Sequence, residues 1–176
     1  MFYQAGYFPA FYILRRNNIS MLISMIITVF SILADQLSKY AVVKLLKPIK
    51  NIPVINGLLD FTYVENYGAA YGSFQNKKFF LIGVTAVLIL LLIYLICSNK
   101  IKEKILIYSF SLIIGGGIGN LIDRIRIGYV VDFIDVNPLF SFPVFNVADC
   151  CVVIGAAIFI IYVLFFDNKK KEDTNE

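Results

Sequence analysis

Four stretches of this chain run without a charged residue: positions 19–34, 79–97, 105–122 and 150–166. Each approaches the roughly 20 residues that a helix needs to cross about 30 Å of hydrocarbon. The pattern predicts four membrane spans joined by short connections, with no room for a separate soluble catalytic domain, so chemistry is expected at the bundle itself. Arg15 and Arg16 ahead of the first run resemble a secretory signal, but no small-x-small cleavage pattern follows Ala34 and further spans come later. The first run therefore reads as an uncleaved helix. Residues 1–14, rich in Phe and Tyr and containing Pro9, read as an interfacial or poorly ordered tail. The expected organisation is an N-terminal tail over 1–18, a four-helix membrane domain over 19–166 and a charged tail over 167–176.

The connection between the first two spans, residues 48–76, has a different period. It reads N-I-P-V-I-N-G-L-L-D-F-T-Y-V-E-N-Y-G-A-A-Y-G from Asn51, with Asn56-Gly57 as a turn signal between β-branched and aromatic runs. A small hairpin or cradle lying on the membrane surface, over about 48–77, is expected there.

Composition agrees with a membrane protein, since 59% of the 176 residues are hydrophobic and only 16% charged, against roughly half and a quarter in soluble domains. The chain contains no His, which excludes H-E-x-x-H zinc chemistry and triads with a His base. Cys97, Cys150 and Cys151 all fall in or at spans and form no disulfide framework; they read as small apolar residues. The net charge of +4 is small and its basic residues are scattered, so no nucleic-acid partner is expected. The basic residues divide eight against eight between the two membrane faces. Those at Arg15, Arg16, Lys100, Lys102, Lys104 and Lys169 to Lys171 form compact clusters hugging helix ends, which favours both termini in the cytoplasm.

The placement of polar residues is more informative than their number. Asp35, Lys39, Asn66, Asn120, Asp123, Arg124, Asp132, Asn146 and Asp149 all belong to connections that follow spans one and three, and so to one membrane face. Asp60, Glu65, Asp135, Lys44, Lys47 and Lys50, on the same side, read as solvated loop charges. Asp35 and Lys39 stand at i and i+4 at the exit of span one and are expected to form an ion pair that orders the site. Span three ends G-G-G-I-G-N-L-I-D-R, residues 115–124. Gly115 and Gly119 form a small-xxx-small pair suited to close helix contact. Asn120 and Asp123, three residues apart, can look into one polar pocket, with Arg124 available to pair a carboxylate. No Lys-Ser or Lys-Thr follows, so this is not a nucleotide loop.

Two carboxylates are sharper still. Val130-Val131-Asp132-Phe133 sets one within an apolar stretch, and Phe145-Asn146-Val147-Ala148-Asp149 sets another 17 residues later at the start of span four. Two carboxylates facing each other in a low-dielectric pocket cannot both ionise easily, so they share a proton, one serving as base and the other as acid. That is aspartyl peptidase chemistry. A proton-coupled transporter would instead distribute polar groups through the membrane depth, whereas 79–97 and 158–166 carry no charge. Presenilin-like and prepilin-type peptidases usually show a G-x-G-D motif, absent here, and a purely structural membrane subunit has no use for paired carboxylates.

The blocks A-D-Q-L-S-K (34–39), N-Y-G-A-A-Y (66–71), G-G-G-I-G-N-L-I-D-R (115–124), V-V-D-F (130–133) and F-N-V-A-D (145–149) together resemble the lipoprotein signal peptidase family, signal peptidase II. The resemblance implies an all-α membrane protein of four transmembrane helices with a small extracytoplasmic β-cradle. It further implies a bacterial inner, or cytoplasmic, membrane enzyme with both termini inside and its site near the outer surface. Such an enzyme removes the signal peptide from diacylglyceryl-modified prolipoproteins, cutting just before the lipidated Cys. Carried over by position, Asp132 and Asp149 become the catalytic pair. Asp35, Lys39, Asn66, Gly68, Ala70, Asn120, Asp123, Arg124, Asn146 and Ala148 become supporting or substrate-contacting positions. No metal or other cofactor is implied; the expected partners are lipid-modified prolipoproteins and membrane lipid, with the chain acting as a monomer. Tyr71, where Phe or Trp is more usual, and Cys150-Cys151, where Ser, Thr or Ala is common, depart from the family pattern and bear on pocket shape.

Overall fold

The computed structural model describes residues 8–69, 71, 73–98, 100–137 and 141–167. Its elements are α1 (Phe8–Leu45), β1 (Asn51–Ile55), β2 (Leu59–Asn66), α2 (Lys78–Cys97), α3 (Lys104–Arg126), β3 (Val130–Asp135) and α4 (Val147–Tyr162), the last continued by a π-helical turn over Val163–Asp167. Among the described residues, four helical segments are long and apolar enough to cross a membrane: Asn18–Leu45, Lys78–Cys97, Lys104–Arg126 and Val147–Phe166. They overlie the four uncharged runs but extend past them.

The largest extension is in α1. The helix continues to Leu45, so Asp35 and Lys39 lie inside it rather than at its exit. Charged residues are kept within a spanning helix when they neutralise one another, and these two do so. The helix also begins at Phe8, inside the stretch expected to be a tail, with Pro9 in the first turn where its missing N–H is harmless. The expected tail segments over 1–7 and 168–176 lie outside the described residues.

Helix α3 is the hub, packing against α1, α2 and α4. Its contact with α2 is apolar, built from Ile89, Leu92 and Ile96 against Ile107, Phe110 and Ile114. Its contact with α1 is polar and close: Ser24 Oγ lies 2.6 Å from Ser111 Oγ, and Thr28 Oγ1 donates to the Ser111 carbonyl at 3.2 Å. The two glycines expected to permit close packing do so against α1, Gly115 beside Ser31 and Gly119 beside Asp35. Gly116 faces the other way, where a Cβ would collide with the Ala148 carbonyl oxygen of α4. Large apolar side chains such as Phe30 and Phe79 point outward, 70% and 85% exposed, an arrangement that lipid rather than water makes favourable.

The connection after α1 is the expected hairpin, turning at Gly57 with φ of +76°. A third strand joins it. The sheet is antiparallel in the order β1-β2-β3, with Val64 opposite Asp132 and Asn66 opposite Val130. β3 reads in sequence as an apolar stretch, not as a strand, because both its faces are covered: Val130, Val131, Asp132 and Phe133 are all buried. Its free edge is capped by the Phe145 carbonyl, which accepts from Phe133 and Ile134 N–H at 2.9 and 2.8 Å. Leu46, Tyr63, Val131 and Phe133 form the small core that seats the sheet on the end of α1.

Candidate active site

Asp132 reaches the site from a strand and Asp149 from a helix start. The strand's alternation turns Asp132 to the inner side, where its side chain is 2% exposed. Its Oδ2 accepts from Asn66 Nδ2 at 2.8 Å, and its Oδ1 from Asn146 Nδ2 at 2.5 Å. Asp149 is placed by capping. Asn146 is the N-cap of α4, its Oδ1 accepting Asp149 N–H at 2.9 Å while Asp149 Oδ2 accepts Asn146 N–H at 3.2 Å. That reciprocal pair is a capping box. The other Asp149 oxygen, Oδ1, accepts from Asn120 Nδ2 at 2.8 Å. Asn146 thus touches both carboxylates, one through its side chain and one through its backbone.

Both carboxylates line one cavity of about 540 Å³, together with Asn66, Asn120 and Arg124, and with apolar walls that include Phe142 and Val153. Burial pushes the Asp132 carboxyl up to about 7; amide donation from Asn66 opposes this, and the nearby Asp149 charge adds to it.

A second network lies behind the first. Lys39, 3% exposed, sets its ammonium 2.9 Å from each of three acceptors: Asp35 Oδ2, Asp123 Oδ2 and Asn120 Oδ1. An ammonium has three donors, so Lys39 is saturated. By holding Asn120 Oδ1 it turns the Asn120 amide nitrogen towards Asp149. Asp35, fully buried, also accepts the Ala148 N–H at 3.0 Å, tying α1 to the start of α4. Asp123 accepts Val131 N–H at 3.2 Å, tying α3 to β3. The expected ion pair of Asp35 with Lys39 therefore forms, but as one half of a pair of carboxylates sharing a cation. Asp123, expected to look into the pocket beside Asn120, faces Lys39 instead.

Gln36 was missed by sequence reasoning. Its Nε2 lies 3.2 Å from Asp35 Oδ2, 3.1 Å from Asp123 Oδ1 and 3.2 Å from the Gly119 carbonyl. The available signal was a long polar amide within an apolar helix, which must find partners when half-buried.

Arg124 departs from expectation. Its guanidinium donates to the carbonyls of Gly68 at 2.9 Å and Asn120 at 3.5 Å, and it makes no ion pair with a carboxylate among the described residues. The nearby carboxylates are already engaged by amides and Lys39, so the guanidinium serves the backbone after β2. Gly68 is held from both sides, its N–H donating to Asn66 Oδ1 at 2.9 Å. Ala70 lies outside the described residues.

Two acids read as wet loop charges are otherwise engaged. Asp135 is buried and accepts Thr62 Oγ1 at 2.8 Å, Asn137 N–H at 2.9 Å and Asn137 Nδ2 at 2.7 Å. Glu65 pairs with Lys47 at 3.0 Å, and hydrogen bonds from Lys47 and Tyr63 hold its carboxyl down at about 2. The three cysteines are free, with Cys150 in the cavity wall. Among the described residues no group of three or more Cys, Asp or Glu could hold a metal ion.

The family model for signal peptidase II matches residues 27–165. The chain is 45% identical over 141 residues to a lipoprotein signal peptidase of Clostridium tetani, covering 79% of this chain and 90% of that protein. It is 48% identical over 145 residues to the lipoprotein signal peptidase of Caldanaerobacter subterraneus subsp. tengcongensis, covering 81% and 96%. A solved structure described as a bacterial membrane enzyme, obtained by the in meso method at 2.3 Å, superposes with a TM-score of 0.78 at 35% identity over 85% of this chain and 91% of that one.

Proposed function

This chain belongs to the signal peptidase II family, and on that premise we propose that it is an aspartic endopeptidase that removes signal peptides from diacylglyceryl-modified prolipoproteins just before the lipidated cysteine. The observation that carries the mechanism is the convergence of Asp132 and Asp149 on one cavity with amide donors on each carboxylate. One carboxylate takes a proton from a water as that water attacks the scissile carbonyl. The other donates a proton to the carbonyl oxygen or the leaving amine. A carboxyl raised to about 7 retains a proton near neutral pH, which an acid partner requires. The acid and base roles are assigned to the pair as a unit rather than to either residue. Asn66, Asn120 and Asn146 orient the pair; Lys39 and its two carboxylates orient Asn120; Arg124 and Gly68 fix the rim.

The apolar cavity wall beside α4 suits the residues around the cut, while the substrate's acyl chains stay in the bilayer and its signal helix enters between spans from the side. Membership of the family supports a bacterial cytoplasmic membrane location, and the compact basic clusters at helix ends support both termini inside with the site at the outer surface. The test is cleavage by the purified protein of matched peptides with and without the diacylglyceryl group. Selective cleavage of the lipidated peptide is expected; equal cleavage of both, or of neither, overturns the assignment.

A further inference from the structure

We propose that Glu65 is a positioning residue for the aspartate pair: clamped on the face of β2 opposite Asn66, it holds the strand end from which Asn66 grips Asp132. The inference rests on the reading of Asp132 as half of the catalytic pair. Along β2 successive side chains alternate, so Glu65 and Asn66 point to opposite sides. Asn66 is the last residue of the strand, and beyond it the chain bends away from the sheet. A strand end of this kind is where fraying starts, and fraying here would draw the Asn66 amide off Asp132 Oδ2, 2.8 Å away.

Three bonds oppose that. Glu65 Oε1 accepts from Lys47 Nζ and from the Tyr63 hydroxyl, both at 3.0 Å, and Oε2 accepts from the Tyr67 hydroxyl at 3.0 Å. Lys47 follows the end of α1, and Tyr67 is the residue on the far side of Asn66, so the residues flanking Asn66 are tethered to each other and to a spanning helix. The cluster reaches further: the Tyr67 ring packs 5.3 Å from that of Tyr129, whose hydroxyl lies 3.4 Å from that of Tyr63. Tyr129 immediately precedes β3, the strand that carries Asp132. An isolated exposed ion pair would contribute little. One carboxylate gathering a lysine and two tyrosines from both sides of Asn66 is a clamp on the one donor that β2 contributes to the pair.

The groups facing Asp132 itself are Asn66 on β2, Asn146 and Asp149 at α4, Lys39 on α1 and Arg124 on α3. Glu65 is not among them, so its influence passes through Asn66. Donation to a carboxylate favours the charged form. Loosening Asn66 therefore raises the Asp132 pKa, and whichever limb of the pH–rate profile belongs to Asp132 moves to higher pH.

The experiment measures kcat, KM, the pH profile of kcat and thermal unfolding for Glu65→Ala, Glu65→Gln and Tyr67→Phe in the full-length protein. Asp132→Asn is run alongside as inactive reference and Asp60→Asn as control. Glu65→Ala is expected to lower kcat about tenfold, within the range that small misplacements of reacting groups produce. It should also move one limb upward by roughly half a pH unit, with Glu65→Gln and Tyr67→Phe intermediate. Tyr67→Phe deletes one hydroxyl and serves if Glu65→Ala fails to fold. Unchanged kcat and profile, or lower melting with both unchanged, overturns the positioning role. If Asp132→Asn turns over substrate, the reading of the pair falls and this proposal with it; if Asp132→Asn is inactive while Glu65→Ala and Tyr67→Phe behave as wild type, only the role of Glu65 falls.

Discussion

Replacing Lys39 by Met removes the cation from a buried cluster while keeping the length and apolar stem of the side chain. Its ammonium is the shared partner, at 2.9 Å, of Asp35 and Asp123, which are 0% and 5% exposed. Stripping one partner from a buried ion pair costs about 3–5 kcal/mol, and here two carboxylates lose their cation at once. For a chain of 176 residues, each kcal/mol moves the melting temperature by about 2–4 °C, so a drop of about 6–20 °C is expected. Asp35→Ala should do less. Lys39 keeps Asp123, and what is lost is mainly the acceptor for Ala148 N–H, worth about 1–3 kcal/mol when left unmet. The sequence-based picture of Asp35 and Lys39 as an isolated pair implies near-equal effects. The double variant Lys39→Met/Asp35→Asn should recover part of the loss, since one buried carboxylate remains instead of two. Thermal unfolding of the purified proteins in detergent measures all three. A Lys39→Met protein melting within about 2 °C of wild type, or less destabilised than Asp35→Ala, refutes the shared-cation reasoning.

Gly119→Ala would set a methyl 2.5 Å from Asp35 Oδ2 and 3.3 Å from Ala148 Cβ, so it should destabilise by about 1–3 kcal/mol; Gly83→Ala, with nothing within 4 Å, should be neutral or mildly stabilising in the same melts. Because the Asp132 carboxyl is raised from 3.8 to about 7, kcat should change between about pH 6 and 8, and a profile moving only near pH 4 would contradict the burial argument. The folded protein holds that proton more tightly than the unfolded chain, so the contribution of Asp132 to stability is full at low pH and falls as pH rises towards about 7; Asp132→Asn should flatten that slope in melts run across the range. Asp135→Asn should lower melting by disturbing the bonds from Thr62 and Asn137 yet change the cleavage rate by less than about tenfold.

What could be read from the chain was local. Four uncharged runs mark the spans because lipid demands them, Asn56-Gly57 marks the hairpin, and the i,i+4 spacing of Asp35 and Lys39 puts two charges on one helical face. What could not be read is set by distant partners. Asp123 meets Lys39 across 84 positions, and no period reports that. The direction of the Asn120 amide depends on which acceptor Lys39 takes. Gln36 looks like filler until Asp35, Asp123 and Gly119 surround it. β3 hides because burial on both faces erases the alternation that would betray a strand. Charge alone points Arg124 at a carboxylate, whereas the group it meets is the Gly68 carbonyl. The identity of the two central carboxylates rests on the motif blocks; their convergence is a property of the fold.

The most direct measurement is single-turnover cleavage of a lipidated prolipoprotein peptide by Asp132→Asn and Asp149→Asn, with substrate binding and melting followed on the same samples. An isosteric amide can neither accept nor deliver the proton, so each change should lower the rate by at least about 10²–10⁴-fold, with binding and fold largely retained. Near-normal cleavage by either variant, or an inactive Asp135→Asn in place of an inactive Asp132→Asn, would contradict the assignment of the pair.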